Sequence, residues 1–207
     1  MEIFVRYVSP LSVLLPIIAG LVYYKYLGTA QKIIFYYVLY SAFSNGTNIY
    51  MVRVLHKTSV IPFAVGSIGW VALISSFYAV VFKGNLSRAI YIITFLFSVF
   101  AVTNVLYIQT HHQFNTYTVT LNAIIVLVYA MIYVYRQNAV DIDASWGSNS
   151  LNWINTGFLL YYSTALMMYI TFALITYEIA NITFAIHNTA LITMYVLFVI
   201  GFKKCKA

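Results

Sequence analysis

Few residues in this chain can do chemistry, and the densest set lies in TYEIANITFAIHNTAL, Thr176 to Leu191. It holds Glu178, the only acid after Asp143, and, nine positions on, the adjacent pair His187 and Asn188. A carboxylate, an imidazole and an amide can together hold a proton or a small polar molecule. All three lie in or beside long apolar runs, where polar groups are expensive unless they find partners. They are expected to form one wall of a polar pocket opening to the outside of a membrane bundle.

Catalytic constellations are absent from the pattern. Intramembrane hydrolysis needs paired carboxylates, a serine with a base, or a metal cluster. The acids number four, Glu2, Asp141, Asp143 and Glu178, and only Asp141 and Asp143 are neighbours, in a polar loop that reads as a solvated turn. The expectation is a protein that is not an enzyme and carries no cofactor. Retinal is disfavoured, because the last apolar run has its first lysine at Lys203, past its end. No metal site is expected: the single cysteine, Cys205, sits in the tail KKCKA, and the pair His111 and His112 lacks further ligands nearby.

The elements that must position the polar residues follow from composition. The chain has 207 residues, 63% hydrophobic and only 7% charged. A soluble domain carries about 25% charged residues, so the outer surface must face lipid. The apolar runs are near the length a helix needs to cross about 30 Å of hydrocarbon. The fold class expected is all-α, a polytopic seven-helix transmembrane bundle forming a single domain over residues 1–207. The seven spans are predicted at 7–26, 32–54, 60–82, 87–108, 116–135, 151–177 and 183–202. The first run is read as a retained helix, because Glu2 stands against Arg6 in its leader and no small-residue cleavage site follows it. The net charge of +7 is not a nucleic-acid footprint, since the basic residues stand singly at the ends of apolar runs.

Basic residues mark the cytoplasmic side. Lys25, Lys32, Lys83, Arg88, Arg136, Lys203, Lys204 and Lys206 fall on one side; Arg6, Arg53 and Lys57 fall on the other. The N-terminus is therefore expected outside and the C-terminus in the cytoplasm. Depth then follows for each polar residue. Asn45 and Asn48, with Ser41, share a face in the outer half of the second span. Trp70, beside Ser67, lies in the outer half of the third. Asn104 is one turn from the outer end of the fourth, and Asn122 is in the first turns of the fifth. Thr171, with Thr164 and Glu178, lines the sixth, and His187 and Asn188 open the seventh. These nine residues, Asn45, Asn48, Trp70, Asn104, Asn122, Thr171, Glu178, His187 and Asn188, are the candidate ligand contacts. The inner half offers mainly apolar and aromatic side chains, with Asn155 near its edge. Asn, Ser and Thr also join helices by hydrogen bonds of about 0.6 to 2 kcal/mol, which is the competing reading of each. The twenty tyrosines are read mostly as interface anchors and packing residues.

WINTGFLLYYSTALMMYITFAL, Trp153 to Leu174, and IHNTALITMYVLFVIG, Ile186 to Gly201, resemble the last two helices of a group of small, uncharacterised seven-helix inner-membrane proteins of Bacteroidota-type bacteria. Some of these are encoded near histidine kinases. The resemblance implies a bacterial inner-membrane setting and a sensory association; it supplies no activity. Taken together, the expectation is a sensor or receptor-like protein that binds a small molecule in an outward-facing pocket. Its output would pass to a signalling partner at the cytoplasmic loop Arg136–Ser150 and the basic tail. The alternatives are a small-molecule transporter or channel, and a structural or assembly subunit without ligand. Pro16 and Gly157 are the expected bend points.

Overall fold

A computed structural model of the protein describes residues 4, 8–56, 60–109, 115–140, 146–171 and 177–206. The side chains of 60–64, 138–140 and 177–181 lie outside that description. Among the described residues every regular element is helical. A short α1, Ser9–Leu11, leads into α2, Leu14–Tyr23, which ends in a 3₁₀ turn at Tyr24–Tyr26. Then come α3, Thr29–Arg53; α4, Val60–Phe82; α5, Gly84–Thr103; α6, Thr116–Val140; α7, Ser150–Thr171; and α8, Tyr177–Lys204. A π-helical turn, Asn104–Ile108, extends α5.

The first predicted span is broken, and Pro16 is the reason. Proline has no N–H to give to the carbonyl four residues back. The Ser12 carbonyl is instead taken by Leu15 N at 3.1 Å, and Ile17 N reaches Val13 O at only 3.4 Å. What remains, α2, has 10 residues, about 15 Å at 1.5 Å per residue.

Among the described residues four stretches are both long and apolar enough to cross a membrane: Val65–Phe82, Gly84–Ile108, Thr116–Gln137 and Ile182–Lys204. This count differs from the seven spans expected, for two reasons. The α2 helix is too short by itself. The α3 and α7 helices have the length, 25 and 22 residues, but polar residues dilute their apolar character. Some of those residues are buried, namely Ser41 and Ser44 on α3 and Ser150, Asn152 and Asn155 on α7.

Six helices close a ring in which α2 packs on α3, α3 on α4, α4 on α6, α6 on α7, α7 on α8 and α8 on α2. The α5 helix lies outside the ring against α4, and its far side exposes Tyr91, Ile92, Phe95, Leu96 and Val99. Small residues let α7 and α8 approach closely. A Cβ on Gly201 would stand 2.9 Å from Ile154 Cγ1 and 3.2 Å from the Ser150 carbonyl oxygen. One on Gly157 would stand 3.3 Å from the Met194 carbonyl oxygen. Membrane helices use small residues in this way to bring backbones together.

One end of the ring gathers the basic residues. There, Gln31 Nε2 donates to Ser150 Oγ at 3.4 Å and Cys205 Sγ donates to the same hydroxyl at 3.2 Å. Arg136 donates to the Phe82 carbonyl at 3.2 Å, satisfying one of the free acceptors at the end of α4. The α4–α5 turn at this end is tight: Lys83 has φ 55° and ψ 173°, and Gly84 follows at φ 62°.

Candidate functional site

The interior of the ring contains a cavity of about 190 Å³ walled by five helices. The α3 helix supplies Tyr37, Ser41 and Asn45, spaced i, i+4, i+8 along one face. The α8 helix supplies His187, Leu191 and Tyr195 with the same spacing. Trp70 enters from α4, Val119 and Asn122 from the first two turns of α6, and Tyr161, Tyr162 and Tyr169 from α7. Liquid water occupies about 30 Å³ per molecule, so the space admits several waters or one small organic molecule.

Two polar atoms of the wall are buried and have no partner among the described residues: Asn122 Oδ1 and His187 Nδ1. The other imidazole nitrogen, Nε2, is 3.5 Å from the Tyr161 hydroxyl. Tyr161 also interacts with Tyr169, while the Tyr37 hydroxyl interacts with Tyr162 and Ser41. Most hydroxyls of the wall thus have neighbours within it. The amide oxygen and the ring nitrogen do not, and a buried polar atom without a partner costs about 1–3 kcal/mol unless a guest supplies one.

The floor is aromatic. Phe77, Phe158 and Phe198 are completely buried. Phe158 meets Phe198 with ring centroids 5.2 Å apart and Tyr37 at 5.7 Å, both edge-on. Beyond these rings, toward the basic end, the amides are fully engaged. Asn155 accepts from Tyr78 at 2.8 Å and donates to the Ala130 carbonyl at 3.3 Å. Asn152 accepts from Tyr133 at 2.7 Å and donates to the Trp146 carbonyl at 2.8 Å. Asn152 and Asn155 are interhelical fasteners of α7 rather than binding groups.

Of the nine predicted contacts, Asn45, Trp70, Asn122 and His187 meet in this cavity. The side chain of Glu178 lies outside the described residues, as do His111, His112, Asp141 and Asp143. The remaining four are elsewhere. Asn188 follows His187 directly, and successive helix positions are about 100° apart and do not share a face. Its Oδ1 accepts from Ser9 Oγ and its Nδ2 donates to Phe184 O at 2.6 Å, which fastens α8 to α1. Asn104 is buried in a separate polar knot at the α5–α6 junction. Its Nδ2 is 3.0 Å from both Gln109 Oε1 and Thr118 Oγ1 and also contacts Asn115 Oδ1. Gln109 closes the knot by donating to Thr116 at 2.8 Å. Thr171 donates back to the Met167 carbonyl of its own helix at 2.8 Å. Asn48 is one turn past Asn45, off the cavity wall, with a buried Oδ1 that has no partner among the described residues.

The wall residues that sequence reasoning passed over are the five tyrosines 37, 161, 162, 169 and 195. A signal was available for two of them. Tyr37 extends the Ser41–Asn45 stripe by one turn, and Tyr195 lies eight positions beyond His187 on the same face. Among the described residues no three His, Cys, Asp or Glu side chains gather as a metal site.

No protein family, curated protein or solved structure matches the chain.

Proposed function

We propose that the protein is a receptor-like membrane sensor that binds one small polar molecule in the cavity between α3, α4, α6, α7 and α8. The observation that carries this reading is a cavity of about 190 Å³ in which buried Asn122 Oδ1 and His187 Nδ1 lack partners among the described residues. A molecule that donates to Asn122 Oδ1, and donates to or accepts from His187 Nδ1 according to the imidazole tautomer, would complete both groups.

In this reading the chain spans a bacterial inner membrane seven times as a single domain, with the N-terminus outside and the basic end in the cytoplasm. Ser41 and Ser44 of α3 and Asn152 and Asn155 of α7 are buried inside the bundle, which supports counting those helices as spans despite their composition. The partner would dock on loop Arg136–Ser150 and the basic tail, and the signal would be a shift between two packings of the ring. A ligand drives such a shift only by its differential affinity for the two states. The buried Phe77–Phe158–Phe198 floor favours a receptor over a transporter, because it closes the cavity toward the basic end.

The test is a screen of small polar metabolites by thermal shift on the purified protein in lipid nanodiscs, with the triple variant Asn45→Leu, Asn122→Leu, His187→Leu alongside. Wild type should be stabilised by at least one compound class and the variant, still folded, by none. Equal stabilisation of both, or passage of the same compound through proteoliposomes holding only this protein, would defeat the sensor reading.

A further inference from the structure

We infer that the basic end carries a built site for an anionic phospholipid such as phosphatidylglycerol, between the end of α2 and the end of α8. A groove of about 500 Å³ is lined there by Tyr23, Ile200, Lys203, Lys204 and Lys206. Two cations converge on one ring beside it: Lys25 Nζ stands 5.0 Å, and Lys206 Nζ 5.9 Å, from the centroid of Tyr26. Lys32 Nζ stands 5.2 Å over Tyr24, whose hydroxyl is 2.8 Å from that of Tyr36. Aromatic faces hold ammonium groups in place without neutralising them.

Five ammonium groups, from the end of α2, the start of α3 and the end of α8, thus share one corner. The whole chain could not neutralise this end, since it has four acids against eight basic residues assigned there. The excess of positive charge at this end makes it complementary to an anion from outside the protein.

The apolar surroundings select a lipid over a soluble phosphate. On α8, Val196 and Ile200 form one stripe at i, i+4 that runs directly into Lys203 and Lys204. On α2, Tyr23 supplies the facing apolar wall of the groove. A phosphodiester among the lysines would lay an acyl chain along the α8 stripe and this wall. A free phosphate would leave them uncovered. Basic pockets at the ends of membrane helices recognise lipid head groups by this division of labour.

Native mass spectrometry of the full chain, released from neutral detergent after incubation with dioleoyl-phosphatidylglycerol or dioleoyl-phosphatidylcholine, tests the site. Wild type should retain the anionic lipid over the zwitterionic one by at least about tenfold, given four or five lysines each favouring anionic head groups. The set Lys25→Gln, Lys203→Gln, Lys204→Gln, Lys206→Gln should retain both lipids equally. The pair Lys83→Gln, Arg88→Gln, at the same end but outside the groove, should behave as wild type. The charge-preserving set Lys25→Arg, Lys203→Arg, Lys204→Arg, Lys206→Arg should keep the preference, which separates loss of charge from loss of fold. The inference is overturned if phosphatidylcholine is retained equally well by wild type, or if the Lys83/Arg88 pair erases the preference. It is also overturned if the arginine set loses the lipid, or if millimolar inorganic phosphate displaces it.

Discussion

Replacing Asn122 by leucine should raise the stability of the protein while removing a binding group. The residue is 5% exposed, and its Oδ1 has no donor among the described residues. An orphaned buried acceptor costs about 1–3 kcal/mol; water in the cavity offsets part of this, so removing the amide should return about 1 kcal/mol. The extra volume of leucine enters the 190 Å³ space rather than a packed wall. For a chain of this size 1 kcal/mol shifts Tm by about 2–4 °C. The matched control is Asn104→Leu at a similar depth. There Nδ2, with two protons to give, lies within reach of Gln109, Thr118 and Asn115, while Oδ1, like that of Asn122, has no partner among the described residues. Leucine would leave at least two buried acceptors without a donor at about 1–3 kcal/mol each, which outweighs the relief of one orphan and leaves a net loss of about 2 kcal/mol. Its Tm should fall by about 4–8 °C. Tryptophan-fluorescence melts of both variants in nanodiscs read the two signs. If Asn122→Leu melts as low as Asn104→Leu, Asn122 is a fastener and the binding assignment of the cavity is wrong.

Glycine substitutions should also divide by sign: Gly46→Ala, with nothing within 4 Å of the added Cβ, should stabilise by about 0.5–1 kcal/mol. Gly201→Val, pressed against Ile154 and an immovable Ser150 carbonyl, should cost about 2 kcal/mol or more by overpacking, and the same melts measure both. Lys83→Gly should stabilise by about 1 kcal/mol, since a backbone at φ 55°, ψ 173° belongs to a region almost reserved for glycine. Burial pushes the Cys205 thiol above its usual range, opposed by the Ser150 hydroxyl. Its thiolate fraction at pH 7 is therefore below that of an exposed cysteine. Maleimide labelling should be slow at pH 7, should still be climbing above pH 9, and should slow further in Ser150→Ala.

Element existence could be read from the chain because lipid imposes a length on apolar runs. The third predicted span, 60–82, coincides with α4, Val60–Phe82. The first reads as one continuous span with a bend at Pro16; the site of the interruption is legible, but not that the missing N–H would split the run into α1 and a short α2. For the candidate site, depth was readable and azimuth was not. Counting from helix ends put Asn45, Trp70, Asn122 and His187 at one level, and they do meet. The same counting could not say which way a side chain turns about its helix axis. Asn188 shares the level of His187 but not its face, and Asn104 turns to partners that lie beyond a π-helical turn. The tyrosines were hidden by their number: twenty in one chain make any single one look like an anchor.

Tyr37 belongs to two assemblies at once. Its ring borders the cavity and also rests edge-on against Phe158 and Phe198. A guest too large for the empty space cannot displace this side chain alone, because the rings beneath it have no vacancy to yield. It must tilt α3 against α7 and α8, or be refused. The size limit of the chamber and the stiffness of three helices are therefore one mechanical property, and a bulkier side chain at position 37 would alter both together.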